Sequence, residues 1–125
     1  MVERLKDVPQ GVIGFRVDGD VESEDYEKVF RPALQDAINA GVPLRTLYLI
    51  EDIDDMEADA LWADMKLGYD LGLKHHKEWE RSAIVTDEKW IVRSMKLFAW
   101  MVPGEARVYP IAELQAAKAW VAGGA

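Results

Sequence analysis

Short apolar segments alternate with segments of helical periodicity along most of this chain, and this alternation restricts the fold to a few architectures. The strand-like segments are Val2 to Leu5, Val12 to Val17, Leu44 to Ile50, Ser82 to Val85 and Ala106 to Tyr109. The helical segments are Ser23 to Gly41, Ala58 to Leu73, Asp87 to Met101 and Ile111 to Val121. The order ββαβαβαβα predicts an α/β domain. We expect a five-stranded, mostly parallel mixed sheet with about four helices, in which the first two strands are neighbours.

Two residues define the first helical segment more closely. Pro32 lies inside its apolar pattern, which predicts a kink or a separation of the first turns from the rest, because proline has no backbone N–H. Gly41 follows the last periodic residue and is a typical C-terminal cap.

The length of 125 residues is that of one domain, and the chain contains no linker-like segment. We assign residues 1–122 to a single domain and residues 123–125 to a flexible tail. Half of the residues are hydrophobic and 30% are charged, which is typical of a globular protein. Cysteine is absent, so the sequence suits a reducing cytoplasm, and we predict a cytoplasmic protein with peripheral membrane contact left open.

The net charge of −8 limits the classes of partner. A chain this acidic repels phosphate backbones, so we expect no nucleic-acid partner. The N-terminal segment has no apolar signal core, and no apolar run approaches the roughly 20 residues that span a bilayer.

The sequence carries no catalytic signature and no complete metal site. Its serines lie outside any G-x-S-x-G motif, and no glycine-rich phosphate loop follows a strand. The acidic run Glu51 to Asp59 follows a strand but fails the EF-hand pattern, because Met56 and Glu57 occupy a ligand position and the glycine position. His75 and His76 are adjacent and point to different helix faces, so they are read as a helix C-terminal cap. We predict no catalytic residue, no metal and no cofactor.

Apolar residues on the predicted second and third helices are candidates for ligand binding. In the third helix they cover well over half of the circumference, whereas a surface helix needs an apolar stripe a little over 100° wide. The candidates are Leu61, Trp62, Met65 and Tyr69 in the second helix, and Trp90, Met95 and Phe98 in the third. The alternative is that these side chains are ordinary core residues.

The remaining stripe of the third helix is cationic. It consists of Lys89, Arg93, Lys96 and Trp100, which lie on one line along the helix. Helices that contact anionic membranes have this pattern, so we predict a membrane or partner surface. The alternative is a helix buried between the sheet and a neighbouring element, with Trp100 covering apolar surface.

Several segments, in the same order along the chain, resemble the SpoIIAA-like family. They are Gly19 with Ser23-Glu24-Asp25-Tyr26, Leu61 to Lys66, Arg81 to Trp90, and Ala106 to Tyr109 before a helix that ends Ala119-Trp120. This family is similar in fold to STAS domains and to the lipid-binding half of CRAL-TRIO proteins. The resemblance implies either binding of a regulatory kinase, switched by serine phosphorylation, or binding of an apolar ligand under movable helices.

The sequence distinguishes between these two roles at one segment. The resemblance to STAS domains implies a phosphorylated serine just after the third strand, at the start of the second helix. The chain has no Ser or Thr between Thr46 and Ser82 to carry this phosphate. We therefore predict a non-enzymatic binding or regulatory module. It would hold an apolar or amphipathic, lipid-like molecule between the sheet and the second and third helices. The alternative is a STAS-like protein–protein interaction module without the phosphorylated serine. Either reading is compatible with a monomer or a homodimer. An enzyme that uses the acidic run is the least favoured class.

Overall fold

A five-stranded mixed sheet forms the centre of the protein in the computed structural model, which describes residues 2–18, 26–51, 79–89, 91–93 and 104–124. The strands are β1 (Val2–Leu5), β2 (Ile13–Asp18), β3 (Leu44–Glu51), β4 (Trp79–Thr86) and β5 (Glu105–Tyr109). Their order in the sheet is their order in the chain. The pair β1–β2 is antiparallel, and β2 to β5 are parallel. The predicted α/β class and mostly parallel sheet are confirmed.

The first helical segment consists of two parts with different helix geometry, and Pro32 lies just after their junction. A π-helical turn, Tyr26–Phe30, leads directly into α1 (Arg31–Asn39), and Pro32 lies in the first turn of α1. The missing N–H of proline costs no hydrogen bond at that position. The predicted separation of the first turns from the rest is confirmed.

The C-terminal end of α1 has the predicted glycine cap. Gly41 has a φ of 72°, a left-handed backbone conformation that residues with a Cβ rarely adopt. Its N–H donates to the Ile38 carbonyl, and the Val42 N–H donates to the Ala37 carbonyl. These two bonds form a Schellman motif, which satisfies carbonyls that the helix end would otherwise leave unpaired.

Two further helices follow β4 and β5. Helix α2 is described at residues 89 and 91–93, within the predicted third helix. A 3₁₀ turn, Ile111–Glu113, leads into α3 (Leu114–Val121). The predicted second helix, 58–73, lies outside the described residues.

Gly123 and Gly124, which we assigned from the sequence to the tail, complete the end of α3. The Gly123 N–H donates to the Trp120 carbonyl and the Gly124 N–H to the Ala119 carbonyl. The Gly124 carbonyl accepts a hydrogen bond from Arg81 Nη1 at 2.8 Å. Hydrogen bonds to the helix and to β4 therefore extend through residue 124.

Side chains alternate between the two faces of the sheet, and each face packs against helices to form a buried cluster. One core cluster packs with α1 and the start of α2, and comprises Val2, Phe15, Val17, Leu34, Leu44, Ile50, Ile84 and Ile91. The other packs with α3, and comprises Val12, Leu47, Leu49, Ala83, Val85, Ala117, Trp120 and Val121. Strand β3 contributes Leu44 and Ile50 to the first cluster and Leu47 and Leu49 to the second, so it is covered on both sides.

Candidate functional site

A cavity of about 330 Å³ that is open to solvent lies where β4 and β5 end. Open parallel sheets bind ligands at the carboxyl ends of their strands, so its position is that of a binding site. Its lining consists of Thr86, Asp87, Val92, Val108, Tyr109 and Pro110. We refer to it as the carboxyl-end cavity.

Thr86 forms the junction between β4 and α2. Its side chain is buried, and its Oγ1 accepts a hydrogen bond from the Glu88 N–H at 3.1 Å. A hydroxyl that bonds the backbone two residues later favours a turn over continued strand. The last residue of β4 therefore directs the chain into the helix that borders the cavity.

Asp87 connects this junction to the start of the last helical segment. Its Oδ1 accepts a hydrogen bond from the Ile111 N–H at 3.0 Å. The N–H groups at the start of a helix have no partner within the helix, so an external carboxylate satisfies one of them. The bond holds the Asp87 carboxylate in place at an exposed position in the lining.

The apolar part of the cavity lining packs against the hydrophobic core of the protein. Val108 packs against the buried cluster of the α1 face, and Ile91, which is 5% exposed, anchors the start of α2 in the same cluster. Val92 is half-buried beside it, and Pro110 follows the last residue of β5. These elements fix the cavity walls from two strand ends and one helix.

The lining has the composition of a small-molecule site. Such sites are mostly apolar pockets of roughly 300–1,000 Å³ with a few polar groups that orient the ligand. Here Val92, Val108 and Pro110 supply apolar surface. Thr86 supplies a hydroxyl and Asp87 a carboxylate, whereas the Tyr109 ring packs against Trp120 on the α3 face of the sheet. The arrangement can bind a small molecule through apolar contact and hydrogen bonds.

The structure describes two of the residues predicted from the sequence to bind a ligand or a surface. Lys89 and Arg93 are both exposed on α2, whereas Ile91 between them is buried. These two side chains therefore lie on the outer side of α2. The remaining candidates lie outside the described residues: Lys96 and Trp100, and the ligand-binding set Leu61, Trp62, Met65, Tyr69, Trp90, Met95 and Phe98.

Sequence reasoning did not select Thr86, Asp87, Val108, Tyr109 or Pro110 as site residues. A signal was present, because all five lie at the ends of predicted parallel strands, where α/β sheets bind ligands. The rule applies equally to the acidic run that follows β3 in the sequence and to the ends of β4 and β5.

The acidic run that follows β3 is described only at Glu51. Arg16 Nη2 lies 3.5 Å from the Glu51 carboxylate and 3.5 Å from that of Asp18. In the described parts of the chain, no three acidic or histidine side chains gather as metal ligands would. His75 and His76 lie outside those parts. None of the described helices is long and apolar enough to cross a membrane.

The sheet, its helices and the cavity together define an α/β domain with a ligand-sized site at its strand ends. The chain belongs to the SpoIIAA-like family, whose model matches residues 12–122. This confirms the family that the motifs indicated. The SpoIIAA-like fold is that of a regulatory or interaction module.

A solved structure supports the same fold. The chain is similar to an uncharacterised protein of the DUF3478 family with a SpoIIAA-like fold from Shewanella loihica PV-4. The two share 26% sequence identity with a TM-score of 0.65, and the match covers 96% of this chain and 93% of the other. No curated protein is a significant match to this sequence.

Proposed function

We propose that this SpoIIAA-like domain is a non-enzymatic module that binds a small apolar or amphipathic molecule in the carboxyl-end cavity. The observation that carries the proposal is the cavity itself, which joins an apolar wall to a few polar groups at the strand ends. Its volume of about 330 Å³ falls within the range of small-molecule sites.

Three of the predicted ligand residues are close in sequence to this location. Trp90, Met95 and Phe98 belong to the same sequence segment as Val92, which lines the cavity. The start of α2, at Val92, forms one wall of the proposed site, and the ends of β4 and β5 form the others.

Hexanol is a suitable neutral probe, because it has a short apolar chain and one hydroxyl. We expect its addition to shift the backbone amide signals of residues 86–88, 92 and 108–109 in a ¹H–¹⁵N correlation spectrum. The matched variants are Val108→Phe, which fills the cavity, and Val42→Phe, which places the same side chain at an exposed position before β3. Val108→Phe should abolish the shifts and Val42→Phe should retain them. Shifts confined to other parts of the sheet would contradict the proposal.

A second candidate function rests on the exposure of Lys89 and Arg93 beside buried Ile91. This arrangement favours contact between the outer side of α2 and an anionic membrane surface. If vesicles do not bind, the same surface fits an acidic protein partner, as expected of an interaction module.

A further inference from the structure

The described lining of the carboxyl-end cavity contains a negatively charged side chain and no positively charged one. Asp87 is the one carboxylic acid among its described lining residues, and no lysine or arginine is among them. Thr86 contributes a neutral hydroxyl, Tyr109 packs its ring against Trp120 on the α3 face, and the other lining residues are apolar. The charged part of a bound molecule would therefore meet a carboxylate.

The Asp87 carboxylate has capacity for a further hydrogen bond. Its Oδ1 accepts the Ile111 N–H at 3.0 Å, whereas a carboxylate offers two oxygens and about four acceptor positions. The bond to Ile111 orients the group, and the exposure of Asp87 leaves it accessible. A donor on a ligand would meet an acceptor that is already held in place.

The surrounding charges favour the same ligand chemistry. Lys89 and Arg93, which flank Val92 on α2, are exposed and do not belong to the lining. Arg107, which precedes Val108, lies over the Trp120 ring and is not in the lining either. The chain as a whole carries a net charge of −8, which attracts cations over long range. A charge-assisted bond between an ammonium group and a carboxylate is roughly twice as strong as a neutral hydrogen bond.

From these observations we propose that the carboxyl-end cavity selects amphipathic molecules that carry a protonated amine. The ammonium group bonds to Asp87, and the apolar part lies against Val92, Val108 and Pro110. This inference rests on the proposed function, since it names the ligand class of the same cavity.

Three probes of equal chain length test the selection: hexylamine, hexanol and hexanoate. Their affinities are measured at neutral pH and low salt from the amide shifts of residues 86–88, 92 and 108–109. We expect hexylamine to bind about tenfold more tightly than hexanol, and hexanoate to bind more weakly than hexanol. Asp87→Asn should bring hexylamine to within about twofold of hexanol. Asparagine keeps an oxygen that can accept the Ile111 N–H, so the fold should be retained.

Glu88→Gln is the matched control, because it removes an equal charge from the next residue, which is not in the lining. It should leave the preference for hexylamine unchanged. Equal affinities of hexylamine and hexanol would overturn the amine selection while leaving the cavity as a binding site. Tighter binding of hexanoate would also overturn it, and would assign the preference to Lys89 and Arg93. If no probe shifts the lining residues, the proposed function itself is wrong.

Discussion

Two arginines from neighbouring strands hold the C-terminal end of α3. Arg81 Nη1 donates to the carbonyls of Trp120 and Gly124, and Arg45 Nη1 donates to the carbonyl of Ala122. The Arg81 guanidinium also lies 5.0 Å from the centre of the Trp120 ring. Cations at this position compensate both the unpaired carbonyls and the negative end of the helix dipole.

At the residue scale, Arg81→Met should therefore destabilise the protein measurably. The change removes charged hydrogen bonds, each worth about 1.5–3 kcal/mol, and leaves two carbonyls without this donor. Because the Arg81 side chain is 24% exposed, we expect a loss of about 2 kcal/mol in the free energy of unfolding. Urea denaturation followed by circular dichroism measures this quantity.

Arg107→Met provides the comparison. Arg107 also lies over the Trp120 ring, at 4.8 Å, but it is exposed. An exposed cation–π contact contributes about 0.5–1 kcal/mol, so this variant should lose less stability than Arg81→Met. Equal losses would show that ring contact, and not the hydrogen bonds at the helix end, is the main contribution of Arg81.

The range of an interaction along the chain decides which residues could be predicted from the sequence. The effects of Pro32 and Gly41 are local, because they follow from backbone chemistry within one helix, and both were predicted. Arg81 bonds to a residue 39 positions away, and Asp87 to one 24 positions away. No periodicity or spacing identifies such partners, so these roles required the structure.

At the scale of elements, the observed start of β4 differs from the predicted one because charged residues there pair with neighbouring strands. The sequence predicted β4 from Ser82, whereas the strand begins at Trp79. Glu80 bonds to Arg45 of β3, and Arg81 lies 3.9 Å from Glu105 of β5. Paired charges are therefore tolerated at the start of a strand that apolar patterning alone would have begun later.

Helix α2 carries the prediction at this scale. If its outer side contacts membranes, the double variant Lys89→Gln/Arg93→Gln should bind anionic vesicles more weakly than the native protein. Each cation near an anionic surface contributes about 1 kcal/mol, so the partition coefficient should fall about thirtyfold at low salt. Co-sedimentation with anionic and neutral vesicles, at low and physiological salt, measures the difference.

The control variant is Arg4→Gln/Lys6→Gln, which removes the same charge from exposed positions near the opposite edge of the sheet. It should bind anionic vesicles nearly as well as the native protein. An equal fall in both variants would attribute binding to net charge and not to α2. If the native protein does not sediment with anionic vesicles at low salt, α2 is not a membrane contact.

At the scale of the whole molecule, the alternation of apolar and helical segments was sufficient to predict the sheet. The parallel order follows from helices that connect successive strands, and the buried β3 follows from its apolar residues. The cavity could not be predicted in this way. It is formed by the ends of β4 and β5 and the start of α2, which become neighbours only when the sheet is assembled.

Native mass spectrometry of freshly purified protein tests the central claim, that this domain holds a small molecule at its strand ends. The native chain should carry an additional bound mass that organic extraction removes. Val108→Phe should have the bare chain mass, and Val42→Phe should retain the additional mass. A bare native chain, or the same additional mass in all three proteins, would contradict the account.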